Sequence, residues 1–356
     1  MSTFTSELVG WYVSVARDLP WRENKDPYRI WISEIMLQQT QVDTVIPYYH
    51  RFLGFFPTVH ALAEAPTEQV LKAWEGPGYY SRARNLQRAA QEVVALYDGA
   101  MPADPVALKA LPGIGDYTTG AIASIAFELP VAAVDGNVLR VVSRLAAWDA
   151  DITKPAAKIA ISRWVEDRFP ERGFRGDFTQ ALMELGATVC TPTNPGCERC
   201  PVATHCQALA EGRVRELPVR SAKAKPRIET TLVAVIWDGD RVLIQRRPDT
   251  GLLAGMWEFP SVVPVPGDAS EATLSLALGE FGLQVSLRAP LAAVQHTFTH
   301  IKMTYEAYTG RLVSGALIPT DARRWETLDG LAALPFSKAQ HKLIAVIRDR
   351  TLLSAL

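Results

Sequence analysis

Residues Asp104 to Ala126, DPVALKALPGIGDYTTGAIASIA, decide how the chain is read. Asp104 followed by Pro105 is a helix start, a cap and then a first-turn proline. Pro112-Gly113-Ile114-Gly115 breaks that helix, and Thr118 to Ala126 resumes one. Two short helices joined by a Gly-x-Gly turn leave backbone N–H groups at a helix N-terminus unscreened by side chains, which suits a phosphate oxygen. A plain helical corner ended by glycine is the simpler alternative. Ile114 pins the turn to the core.

From about residue 5 to 210 apolar residues recur three and four apart, broken by Pro and Gly, as in Tyr28 to Leu53, Thr67 to Trp74, Ala83 to Tyr97, Asn137 to Trp148 and Pro155 to Phe169. An all-α domain over residues 1–216 is expected. The stretch around 217–228 holds prolines and basic residues with little to bury, and is expected to be a linker. Beyond it, Thr230 to Trp237 and Arg241 to Arg247 are β-rich runs flanking Asp238-Gly239, a hairpin signal. Ala269 to Phe281 and Ser337 to Asp349 have helical patterns, and His296 to Tyr308 is expected to form a strand pair. The second domain, 229–356, is therefore α+β, and the chain is multidomain.

At roughly 100 to 200 residues per domain, 356 residues accommodate two such domains without disulfide staples. The longest stretch free of charge is 13 residues, too short to span a bilayer, so no membrane partner is expected. The N-terminus has no basic region followed by an apolar run, which makes the cytoplasm the expected compartment, beside the nucleoid in a bacterium. Lys and Arg number 37 against 38 Asp and Glu, a net charge of -1 with pI near 6.6. Up to Arg220 the balance is 22 basic to 25 acidic, and beyond it 15 to 13. A polycationic grip on nucleic acid is excluded, so any DNA binding must use a local footprint.

Two acids stand out. Asp135, in VAAVDGNVLRVVSR, sits where an apolar run ends and a helix begins. Its plain role is an N-cap; the same geometry keeps a carboxylate ionised by amide donors and the helix dipole, as stabilising a sugar cation requires. Asn137 is placed to orient it. Glu34, in YRIWISEIMLQQTQ, lies among Trp31, Ile32, Ile35, Met36 and Leu37. A lone helical Glu is usually solvated, but burial here would raise its pKa and make it a proton donor. One acid and one anion in contrasting settings form the pair that breaks glycosidic bonds.

LPGIG between short helices resembles the helix-hairpin-helix of DNA repair glycosylases, and the resemblance covers at least residues 20–210. With WISEIMLQQTQV, GPGYYSRARNL and VDGNVLRV, the chain resembles the MutY-type adenine DNA glycosylases. The resemblance implies that Glu34 protonates adenine N7, that Asp135 stabilises the cation at C1′ with Asn137 holding it, and that Tyr117 contacts the reacting centre. The base is first rotated out of the duplex. It implies that Gln39 and Tyr79 fill the stack around 8-oxoguanine, that Thr40 bonds it, and that Arg82 grips phosphate with the amides of Gly113 and Gly115. Leu19, Trp21, Arg22, Leu37, Val42 and Gln180 match the adenine pocket. Pro77 stands where the family turn has Leu, which leaves that residue's carbonyl available and removes its N–H. The expected partner is double-stranded DNA holding 8-oxoguanine opposite adenine, bound by a monomer.

The four cysteines, Cys190, Cys197, Cys200 and Cys206, fall within 17 residues and suit one metal centre, an iron–sulfur cluster or zinc. Their spacing matches the 4Fe-4S module of endonuclease III and MutY relatives. The second domain resembles the Nudix-like domain of the same family, with GLLAGMWEFP the clearest match. Ser275-Leu276 and Gly279-Glu280 stand where a Nudix hydrolase carries its Mg²⁺-binding acids, so recognition of 8-oxoguanine is expected rather than hydrolysis. Phe298-Thr299-His300 matches the family's recognition loop, with Thr for Ser. Two other functions compete. A glycosylase and lyase acting on oxidised pyrimidines needs a Schiff-base lysine where Tyr117 stands, and no Lys occurs between Lys109 and Lys154. A catalytically silent iron–sulfur DNA-binding protein would not need both acids.

Overall fold

The computed structural model describes residues 2–171, 173–222, 225–264, 267–298 and 300–354. Among the described residues α-helices come first: α1 (Thr3–Val15), α2 (Pro27–Leu37), α3 (Val42–Phe55), α4 (Val59–Glu64), α5 (Thr67–Ala73), α6 (Ser81–Tyr97), α7 (Pro105–Ala110), α8 (Asp116–Ile125), α9 (Gly136–Leu145), α10 (Pro155–Glu166), α11 (Arg175–Thr188) and α12 (Gln207–Ala210). The remainder holds β1 (Arg227–Asp238), β2 (Arg241–Arg246), β3 (Trp257–Glu258), β4 (Ser261–Val262), α13 (Ser270–Gly279), β5 (Gln284–Thr297), β6 (Ile301–Ser314), β7 (Arg323–Thr327) and α14 (Lys338–Ser354). Among the described residues no helix is long and apolar enough to cross a membrane.

The helical pattern over Tyr28 to Leu53 resolves into two helices. Helix α2 stops at Leu37, Gln39 takes a left-handed φ of 61°, and α3 begins after an extended Gln41. The hairpin forms at the expected place, with Asp104 accepting from the Ala107 amide at 2.8 Å. Gly113 has φ 77°, and a Cβ there would lie 2.7 Å from that of Asn85, so both the turn and its packing require glycine. In the helical unit, Leu8 and Tyr12 of α1, Val138 and Val142 of α9, and Phe178 and Leu182 of α11 share one core, against which Cys190, Cys200 and Cys206 also pack.

The sheet runs β3-β2-β1-β6-β5, with β4 added to β1 and β7 to β2. Strand β1 pairs in parallel with β6 and antiparallel with β2 and β4. Leu232, Ala234 and Ile236 pack with Leu274 and Leu278 of α13, whereas Val233 and Val235 pack with Leu343 and Ile347 of α14. Burial on both faces explains why β1 is a continuous apolar run instead of an alternating one. In the β1–β2 hairpin Asp238 pairs with Arg241, so the loop is Gly239-Asp240, one residue later than the Asp238-Gly239 reading.

The contacts divide the chain into Met1–Glu64 with Asn85–Ala222, and Ala65–Arg84 with Lys223–Leu356. This division differs from an uninterrupted helical domain to residue 216, because Ala65–Arg84 belongs with the sheet unit. Glu75 is its anchor, accepting from the Phe336 amide at 2.8 Å and Lys72 Nζ at 2.7 Å, and pairing with His341 Nε2 at 3.0 Å. Burial raises the pKa of Glu75, but these bonds outweigh it and hold the carboxyl below the ordinary value. Tyr80 adds a bond to the Phe336 carbonyl at 3.4 Å and Arg84 one to Ala254 at 2.5 Å. Removing Glu75 strands the Phe336 amide. Glu75→Ala is therefore expected to cost about 1–3 kcal/mol, read as earlier unfolding of the sheet unit and faster proteolysis within 65–84 of the full chain. An unchanged melt and cleavage rate would show that packing alone holds the segment.

Candidate active site and cysteine centre

An open cleft of about 1180 Å³ in the helical unit gathers Glu34, Tyr117, Asp135 and Asn137. Helix α2 starts on Asp26, whose side chain accepts from the Tyr28 amide, with Pro27 in the first turn. Trp31, Ile32 and Met36 are fully buried, and Glu34 is only 5% exposed. Its carboxylate accepts a short hydrogen bond from the Tyr117 hydroxyl. Burial pushes the Glu34 pKa up to about 7; the Tyr117 bond opposes the rise and the charge of Asp135 adds to it. The phenol of Tyr117 is pushed well above its ordinary value, first by burial and then by the two carboxylates, so it remains a donor.

Asp135 caps α9. Its Oδ1 accepts from the Val138 amide at 2.7 Å and its Oδ2 from Asn137 Nδ2 at 2.8 Å. Burial raises the pKa of Asp135, and the hydrogen bonds from the Val138 amide and Asn137 oppose that rise. The two N–H donors still favour the anion, an environment Glu34 lacks. Asn137 is fixed in turn by Arg140 Nη2, which donates to its Oδ1 at 2.8 Å and to the Gly186 carbonyl at 2.8 Å, while Arg140 Nε reaches the Cys190 carbonyl at 2.8 Å.

One turn further along, Arg144 donates to Cys190 Sγ at 3.3 Å, to the Thr191 carbonyl at 2.7 Å and to Leu217 at 3.0 Å. Both arginines are buried. Neither they nor Glu184 of α11 emerged from the sequence reading. Their signal was the one that exposed Glu34, a charge within an apolar helical run. The four cysteines line one cavity with Val141, Leu185 and Val189. Among the described residues no three His, Cys, Asp or Glu side chains converge tightly enough for a single ion. Four thiols around one cavity are a donor set that suits an iron–sulfur cluster or zinc. Burial pushes the Cys200 thiol up to about 11 and also raises Cys197 and Cys206.

The same cleft is lined by Leu19, Trp21, Arg22, Leu37, Val42 and Gln180. Gln39, Thr40, Gly113 and Gly115 line it too. Gly115 is extended, with open space where a Cβ would stand. In the other unit Tyr79 is 44% exposed and, like Gln39, has a left-handed backbone, at φ 51°. Arg82 is not left free for phosphate: its guanidinium lies over Tyr79 and Trp74 and donates to the Pro77 and Gly78 carbonyls, both at 3.1 Å. Arg88 is exposed on α6. Phe298 donates its amide to the Ile301 carbonyl at 2.7 Å and meets His296 edge to face; His300 is exposed, and Thr299 lies outside the described residues.

Residues 32–167 match the HhH-GPD superfamily of base excision DNA repair proteins, and 232–346 match the NUDIX domain. The adenine DNA glycosylase of Mus musculus is 38% identical over 98% of this chain and 78% of its own length. The Homo sapiens enzyme of that name is 36% identical, over 98% of this chain and 75% of its own. The chain belongs to the adenine DNA glycosylase family. Among solved structures, a thermostable thymine-DNA glycosylase at 29% identity superposes with a TM-score of 0.52 over 58% of this chain and 95% of its own. Endonuclease III in a DNA complex, at 23% identity, shares the fold, with a TM-score of 0.50 over 60% of this chain and all of its own. The chain is thus an enzyme of base excision repair, and Glu34, Tyr117, Asp135 and Asn137 fall inside the HhH-GPD match. Arg140→Met keeps the stem and removes the donors, leaving the Cys190 and Gly186 carbonyls unpaired. It is expected to destabilise the protein by about 2–4 kcal/mol in denaturant unfolding; a loss within about 0.5 kcal/mol would mean that those carbonyls find other partners.

Proposed function

We propose that this adenine glycosylase excises adenine opposite 8-oxoguanine, without cutting the strand. The observation that carries the reading is the pairing in one cleft of a buried carboxyl, Glu34, with a pKa near 7, and an amide-capped carboxylate, Asp135. Glu34 gives its proton to N7 of the flipped adenine. The C1′–N9 bond then breaks with its electron pair leaving on the base. Asp135, aimed by Asn137, stabilises the oxocarbenium ion until water adds and gives up a proton to the Glu34 carboxylate, yielding free adenine and an abasic sugar. The Tyr117 hydroxyl holds the Glu34 carboxylate formed in the first step.

Tyr117 has no amine for a Schiff base, and the lysine lining the cleft, Lys158, is exposed on α10. The left-handed backbones of Gln39 and Tyr79, each costing about 1–3 kcal/mol, support their roles as wedges beside 8-oxoguanine, since strain of this kind persists where function requires it. The turn at Phe298 and His300 supports recognition of the modified base by the Nudix-like domain, where exposed Leu276 occupies a position that a hydrolase gives to an acid. Cys190, Cys197, Cys200 and Cys206 would hold a 4Fe-4S cluster, which supplies a rigid cross-link for their loop.

Duplexes holding adenine opposite 8-oxoguanine are expected to break only after alkali, and thymine glycol duplexes not at all. Breakage without alkali, or a borohydride-trapped complex, would favour the lyase reading. Because the acid must carry its proton, single-turnover release should fall as pH rises through about 7 and should be lost in Glu34→Gln with duplex binding kept. A rate unchanged up to pH about 9, two units above that value, would remove Glu34 from this role. Purified anaerobically, the protein should contain about four iron and four sulfide per chain; stoichiometric zinc would overturn the cluster.

A further inference from the structure

Helix α11 presents Gln180 and Glu184, one turn apart, to the cleft. Glu184 is only 2% exposed. Arg17 grips it with Nε at 2.5 Å and Nη2 at 2.9 Å, and Arg22 Nη2 reaches it at 2.8 Å. Burial raises the Glu184 pKa, but the two arginines outweigh it and hold the carboxyl below its ordinary value, so it stays an anion. Arg22 is further fixed by the Arg17 carbonyl at 3.1 Å and by its seat over the Tyr12 ring, 5.3 Å away. Its remaining Nε donates to Gln180 Oε1 at 3.1 Å.

A guanidinium has donors only, so the amide that meets it must turn its oxygen inward. The Gln180 NH₂ then points away from Arg22, and among the described residues it makes no hydrogen bond.

We propose that Glu184 is a positioning residue for base selection: by clamping Arg22 it fixes the flip state of the Gln180 amide, so that N–H donors instead of a carbonyl face the base. The inference rests on the cleft taking the flipped adenine. Adenine offers the N1 lone pair to such donors. Guanine carries a hydrogen on N1 and meets them donor to donor, an arrangement that a site with a fixed amide rejects. An amide free to flip would accept either purine, so the anion behind Arg22 is what makes the wall selective.

The test compares single-turnover release of adenine with that of 1-deazaadenine, which keeps N7 for protonation and replaces N1 by C–H. The intrinsic difference between the two leaving groups cancels when their rate ratio is compared across variants. The wild-type ratio is expected to exceed that of Gln180→Leu by about tenfold, one hydrogen bond's worth. Glu184→Gln and Arg22→Gln should both collapse to the Gln180→Leu ratio, while Glu184→Asp, which keeps the anion, should retain most of it. Arg22→Gln leaves Glu184 paired with Arg17, so it answers the question even if Glu184→Gln fails to fold. A Glu184→Gln or Arg22→Gln enzyme that is slow yet keeps the wild-type ratio would overturn the proposal, as would a wild type with the Gln180→Leu ratio. Wild-type protein that releases adenine from no duplex would instead overturn the assignment of the cleft, and this inference with it.

Discussion

A carboxyl group kept from water is the constraint around which the helical unit is arranged. Glu34 lies in a largely apolar helix, and the bond it accepts comes from Tyr117, the second residue of α8. That bond requires α8 to begin where it does, immediately after Gly115, and the turn before it is fastened by buried Ile114 and by Gly113 against Asn85. The hairpin thereby does two things. It leaves Gly113 and Gly115 exposed ahead of a helix start, and it aims a phenol at a carboxyl that burial holds at a pKa of about 7.

Helix α9 supplies the other half. From its cap to its last turn it carries Asp135, Asn137, Arg140 and Arg144, and each holds the next part of the molecule in place. The first two face the cleft; the last two fix the chain around Cys190. A buried arginine is costly unless all its donors are used, and both meet that cost with carbonyls of the cysteine loop and of α11. The cysteine cavity and the Asp135 carboxylate are consequently attached to one helix.

What could be read from the residues were features that local chemistry forces. Asp104-Pro105, the Gly-x-Gly turn and the apolar surroundings of Glu34 each imply a conformation or an environment within a few residues, and each is found. What escaped depends on pairing across long sequence separations. Nothing in Ala65–Arg84 marks it as part of the sheet unit, because its anchors, Phe336 and His341, lie more than 250 residues on. Arg82 looks like a free cation until the carbonyls of Pro77 and Gly78 are seen to occupy it. Glu184 looks like a solvated helix face until Arg17 and Arg22 converge on it.

The balanced net charge acquires a structural meaning. Arg17, Arg22, Arg82, Arg84, Arg140 and Arg144 are spent inside the protein on carboxylates and carbonyls, so the count of basic residues overstates what is left for phosphate. Glu34 stands apart from these pairs as a carboxyl that burial holds at a pKa of about 7, with its proton still bound below that value. The most direct measurement is the titration of that proton by infrared difference spectroscopy on isotope-labelled glutamate, wild type minus Glu34→Gln. A protonated carboxyl signal is expected to persist until about pH 7; a group that ionises near the ordinary glutamate value of about 4.3 would contradict the role of Glu34 as the acid.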